Sequence, residues 1–94
     1  MPALSLEHSV AASDTTVFRE VSGEAVLLQL DEGTYYGLDD VGTRLWQLML
    51  THHRLQDVFD AALAEFDVAA DDLQRDLLNL AQQLVERRLL VVRR

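Results

Sequence analysis

The hydrophobic pattern changes period at Asp39, and that switch limits the fold more than any other feature of the sequence. Before it, Val17 to Val21, Ala25 to Leu30 and Thr34 to Leu38 are short runs of β-branched, aromatic and aliphatic residues. Ser22-Gly23-Glu24 and Asp31-Glu32-Gly33 separate them. Runs of this length and composition are strands, and glycine supplies the positive φ that tight hairpin connections require. Consecutive antiparallel pairing gives a meander whose third strand lies at an edge.

Beyond Asp39 the spacing is helical. Val41, Leu45, Leu48 and Met49 share one face, and Asp39 or Asp40 is placed to accept from the first exposed amides. Leu55, Val58, Phe59, Ala62, Leu63 and Phe66 predict a second helix with a buried stripe. A third helix is expected from about Ala70 to Arg87, with Asp71 and Asp72 at its positive end and Arg87 and Arg88 at its negative end. Its apolar set is Leu73, Leu77, Leu78, Leu80, Ala81, Leu84 and Val85. That stripe is wider than one core-facing helix ordinarily needs, which leaves part of it for a ligand groove. Leu89 to Val92 reads as a short terminal strand or extended tail. The fold class is therefore α+β, a three-stranded antiparallel β-meander followed by three helices that cover one face of the sheet.

With 94 residues there is one core to build. Residues 1–13, with Pro2 and the Ala11-Ala12-Ser13 cluster, show no sustained period and are expected as a flexible arm, and residues 14–94 as a single domain. The absence of cysteine excludes disulfides and thiolate metal sites and points to a reducing compartment, so a cytoplasmic location is expected. No apolar run approaches the roughly 20 residues of a membrane span, and Met1 to Ser13 lacks the pattern of an export signal. The net charge is −8, and all the basic residues are arginines, with Arg87, Arg88, Arg93 and Arg94 gathered at the end. A surface this acidic repels phosphate and disfavours nucleic acid as a partner.

No catalytic constellation is visible. His52 and His53 are adjacent and do not face one another on a helix, and no neighbouring ligand completes a metal set. Asp39-Asp40 and Asp71-Asp72 stand where helix starts attract carboxylates. Neither a phosphate-binding glycine loop, a nucleophile elbow nor a zinc-helix motif occurs. The expectation is a binding protein that is not an enzyme and takes no cofactor or metal. Taken alone, Tyr35 and Tyr36 are strand residues of a small sheet, and Gly42 and Trp46 mark close helix packing.

From Val26 to Trp46 the chain runs through a leucine-rich strand, the Gly33 turn, Tyr36-Gly37-Leu38-Asp39, then Gly42 and the Leu45-Trp46 pair. Leu55-x-x-Val58-Phe59, Phe66-Asp67-Val68 and Leu84-Val85-Glu86-Arg87-Arg88-Leu89-Leu90 follow in order. This series resembles the PqqD-like proteins over about Thr15 to Val92, with Asp39 where the family usually has Asn. It departs from the family at Thr51-His52-His53-Arg54, where Asp-Gly and Thr or Ser are common. It departs again at Ala69-Ala70, where an Asp cap and Pro are common, so that capping there falls to Asp71, Asp72 or water. The wording from Glu32 to Leu38 is similar to stand-alone recognition proteins of lasso-peptide pathways.

The resemblance implies a winged-helix-like recognition element, a RiPP recognition element, that binds the leader of a ribosomally synthesised precursor peptide. The leader is expected as an added strand on the third β-strand, in the groove against the third helix. Carried onto this chain, the site is Thr34, Tyr35, Tyr36, Gly37 and Leu38 with Leu73, Asp76, Leu77, Leu80 and Leu84, and Asp76 is placed to pair with a basic leader residue. An open strand edge has unpaired amides and carbonyls for such a peptide, and flanking apolar pockets read its side chains. The implied partners are the precursor peptide and a leader peptidase or other modifying enzyme. For quinone-type relatives the implied role is peptide chaperone to a radical SAM enzyme. Two alternatives stay open: a self-associating adaptor, a homodimer paired through its third strands, and a winged-helix DNA binder, against which Asp71, Asp72 and Asp76 weigh.

Overall fold

The computed structural model describes residues 4–93. In chain order the elements are β1 (Ser9–Ala12), β2 (Thr16–Val21), β3 (Glu24–Gln29), β4 (Thr34–Gly37), α1 (Asp40–His52), α2 (Leu55–Glu65), α3 (Ala70–Glu86) and β5 (Leu90–Arg93). The strands β2, β3 and β4 form the expected antiparallel meander, and β1 pairs with β5 in a separate two-stranded sheet.

The hairpin between β2 and β3 closes through Ser22 and Gly23, at φ 55° and 83°. Positive φ at both central residues is the turn whose twist matches the flanking strands. The next hairpin ends at Gly33, whose N–H donates to the Gln29 carbonyl at 2.8 Å. Along β3, Ala25, Leu27 and Gln29 are buried on the helix side while Val26 is exposed, the alternation of a sheet covered on one face. Phe18 from β2 meets Trp46 edge to face, with ring centroids 5.6 Å apart.

Asp39 caps α1, its Oδ1 accepting the Gly42 N–H at 2.7 Å. A Cβ at Gly42 would stand 3.2 Å from that oxygen, so the glycine keeps room for the cap. One residue later, Thr43 Oγ1 accepts the buried Ala25 N–H at 2.7 Å and fixes α1 to β3. Leu45, Trp46, Leu48 and Met49 are buried as expected, but Val41 is left 45% exposed. In α2, Leu55, Val58, Phe59 and Ala62 are buried, with Leu63 and Phe66 at the margin of the stripe. Arg44 Nε donates to Glu65 Oε2 at 2.8 Å and joins α1 to α2. That hydrogen bond, aided by the guanidinium charge, holds the Glu65 carboxyl below the usual glutamate range.

Two expectations need correction. At the start of α3 the cap position is Ala69, with no side-chain hydrogen bond, so Asp71 and Asp72 contribute through the helix dipole of the first turn rather than as caps. Residues 1–13 were expected as a flexible arm, yet from Leu4 onward the chain is built into the fold, and Met1 to Ala3 lie outside the described residues. β1 runs antiparallel to β5 and Val10 is fully buried. The His8 and Leu6 carbonyls accept the Leu55 and Gln56 amides at 2.9 and 2.8 Å. Arg54, at the cap position of α2, makes no side-chain bond, so the arm's backbone satisfies the first amides of that helix. Leu4, Leu6 and Ala12 pack partly against the core beside Val10, an apolar set too sparse to give a sustained period.

Candidate functional site

Among the described residues β4 pairs with β3 alone, leaving its other edge open. The Leu38 N–H donates to the Ala25 carbonyl, and the register runs Val26↔Gly37, Leu27↔Tyr36, Leu28↔Tyr35. Hydrogen-bonded pairs alternate along an antiparallel ladder, so the backbone groups of Tyr36 and Leu38 turn to β3. Those of Tyr35 and Gly37 face the open edge. The side chains alternate in the other direction. Tyr35 stands on the outer face, 69% exposed, and Tyr36 turns towards α3.

Tyr36 ties β4 to the C-terminal end of α3, and the space between the two elements is the candidate groove. Its hydroxyl donates to Gln83 Oε1 at 2.6 Å, and the Arg87 guanidinium lies 5.0 Å from its ring centroid. Asp76, Leu80, Gln83 and Arg87 follow at helical spacing and so share one line, which Gln83 and Arg87 bring to the strand at Tyr36. At the far end a cleft of about 350 Å³ opens between the start of α1 and the α2–α3 connection, with Val41, Leu45, Phe66, Val68 and Leu73 in its walls. Arg75 lies at its rim, 3.0 Å from Asp72 and 3.8 Å from Asp76.

Thr34, Tyr35, Tyr36 and Gly37 all sit on the open strand, and Asp76 and Leu80 on the facing line of α3. Leu38, Leu77 and Leu84 do not line the groove, because their exposures of 6%, 0% and 0% place them in the core. Leu73 is also buried and reaches only the wall of the cleft. The physical reason is rotation. The helix turns Leu73, Leu77 and Leu84 into the core cluster, and the accessible side is the neighbouring stripe. Gln83 and Arg87 lie outside the expected site, and their spacing from Asp76 and Leu80 puts them on the same line. Val41, Phe66 and Val68 were assigned to core or connection, and no sequence period separates a cleft wall from a core face.

Such a groove suits an extended chain. Backbone groups at Tyr35 and Gly37 are available for pairing, the cleft accepts an apolar side chain, carboxylates stand at one end and a guanidinium at the other. Among the described residues no three His, Cys, Asp or Glu side chains gather as a metal site. No described helix is long and apolar enough to cross a membrane.

No curated protein matches the chain. It is similar to the solved structure "TbiB1 in Complex with the TbiA(beta) Leader Peptide", at 39% identity and a TM-score of 0.80, over 85% of this chain and 93% of that one. A second likeness, of fold, is to "Lasso peptide synthetase B1 complexed with the leader peptide", at 24% identity and a TM-score of 0.79, over 88% and 98% of the two chains. Residues 24–90 match the family model described as coenzyme PQQ synthesis protein D. With the strand, turn and helix pattern of Val26 to Trp46 inside that match, the chain belongs to the PqqD family.

Proposed function

We propose that this protein binds the leader region of a ribosomally synthesised precursor peptide and holds it for processing enzymes, a lasso-type leader peptidase foremost. The observation that carries the reading is the open edge of β4, with the backbone groups of Tyr35 and Gly37 directed outwards beside a tyrosine locked to α3. The 39% identity to a protein solved in complex with a leader peptide supports leader binding. The leader adds as a further strand, and the site consists of Thr34, Tyr35, Tyr36 and Gly37 with Asp76, Leu80, Gln83 and Arg87. Main-chain pairing gives affinity, and the cleft of Val41, Phe66 and Leu73 selects an apolar side chain. The groove binds and positions; the chemistry belongs to the enzyme that receives the peptide.

Isothermal titration against the leader half of the precursor encoded beside the gene, with a scrambled leader as control, tests this. Sequence-dependent binding in the sub-micromolar range is expected. Absence of binding to every neighbouring leader, together with concentration-dependent mass, would replace it with the self-associating adaptor.

A further inference from the structure

A second strand edge lies close to the first. Among the described residues β5 pairs with β1 alone, and its other edge has no strand partner. Beside it is a cleft of about 910 Å³, with Leu4, Val85 and the β5 residues Leu90 to Arg93 in its walls. Arg88 and Arg93 reach into it, and Glu7, His8 and Asp31 also border it. Among the described residues the ion pairs are Arg44 with Glu65 and Arg75 with Asp72 and Asp76. Arg87, Arg88 and Arg93 belong to none of them. The lining of the cleft sets Arg88 and Arg93 against Glu7 and Asp31, a local balance of charge in a chain of net charge −8.

The cleft adjoins the groove. Where α3 ends, the chain crosses the last row of the meander, formed by Thr16, Gln29 and Thr34. Arg87 lies over Tyr36 on the groove side. The next carbonyl, of Arg88, accepts from Gln29 Nε2 at 2.7 Å, and that of Leu89 accepts from Thr16 Oγ1 at 3.0 Å. These bonds hold Arg88 at φ 61°, a conformation that costs a non-glycine residue energy, with its side chain on the cleft side. A strand paired with β4 that continues past Thr34 therefore passes Arg87 and arrives at Asp31, Arg88 and the free edge of β5.

We propose that this cleft receives the flanking segment of the same precursor peptide, as an extended aliphatic stretch with acidic residues that pair with Arg88 and Arg93. The inference rests on the leader-binding reading and adds a second subsite to it. Strand addition to β5 supplies backbone pairing, Val85, Val91 and Val92 supply apolar contact, and the arginines select the charge. The peptide's polarity follows from its pairing: a strand antiparallel to β4 enters the cleft with its C-terminal end, a parallel one with its N-terminal end.

The test is calorimetric titration with three synthetic peptides from the neighbouring precursor's leader: the short segment that binds the groove, and that segment lengthened by native residues at either end. One extension is expected to tighten binding by about tenfold, the order of two partly screened charge pairs added to apolar contact, and the gain shrinks as salt is raised. In the Arg88→Glu/Arg93→Glu variant the gain disappears while the short peptide binds as to the parent protein. Arg93→Glu alone, at an exposed end position, is expected to lose part of the gain, and circular dichroism verifies folding of both. Equal affinities for all three peptides, or a gain that survives both variants, overturns the second subsite and leaves the groove standing. Loss of the arginines' effect on peptide affinity combined with failed transfer to the enzyme assigns the cleft to the enzyme and also overturns it. Failure of even the short peptide to bind overturns the leader-binding reading itself.

Discussion

At the scale of single residues, less than one helical turn separates a proposed binding contact from a core contact. Leu77 and Leu80 lie three apart on α3, yet Leu77 is fully buried and Leu80 only half-buried, in line with Gln83 and Arg87. Leu77→Asp places an unpaired charge in the core and is expected to unfold the protein, seen as loss of the cooperative thermal transition. Leu80→Asp keeps the fold and weakens leader binding by about tenfold, because the new carboxylate must be desolvated under the peptide. Tyr35→Pro removes an N–H that faces the open edge, not β3, so leader affinity is expected to fall with little change in melting temperature. Titration and thermal melts of the three variants together separate site from scaffold. The tyrosine parity, Tyr36 inward and Tyr35 outward, was legible from the two-residue period of a strand. The choice of Leu80 over Leu77 was not, because both belong to one broad apolar stripe.

At the scale of elements, helix ends and helix pairs decide local stability. α1 has its cap in Asp39, and Asp39→Ala is expected to cost about 1 kcal/mol by chemical denaturation. α3 lacks one, and Ala69→Ser should stabilise the fold by up to about 1 kcal/mol, since Ala69 already has the extended backbone of a cap residue. The link between α1 and α2 is sensitive to acid. Glu65 is held below its ordinary range by Arg44, so the pair's contribution is present above the unfolded glutamate value and is lost as pH falls through the lowered folded value. Glu65→Gln is expected to flatten the acid limb of stability against pH, a small effect because the pair is solvent-exposed. The existence and order of the helices followed from their spacing. The uncapped start of α3 emerged only with the backbone path of the Val68-Ala69 connection.

For the molecule as a whole, the two ends of the described chain close the structure on each other. β1 and β5 pair across almost the full sequence, and the arm before β1 supplies acceptors to the first turn of α2. A chain beginning at Asp14 is therefore expected to lose its cooperative unfolding transition, measured by circular dichroism, although the meander and all three helices remain in its sequence. The same closure brings the arginine-rich end beside the peptide groove, in an otherwise acidic molecule.

Legible in the sequence were those features that depend on neighbours along the chain: the glycine turns of the meander, the change to helical period at Asp39, the Asp39 cap and the open edge of the third meander strand. These follow from backbone sterics and from the repeat distances of strand and helix, which are local. Three-dimensional packing alone settled which stripe of α3 faces β4, that Val41 and Phe66 wall a cleft, and that residues 4–13 serve as part of the scaffold. Each depends on contacts between segments far apart in sequence, Tyr36 with Gln83, Leu55 with His8, Ser9 with Arg93, and no local periodicity encodes such a pairing.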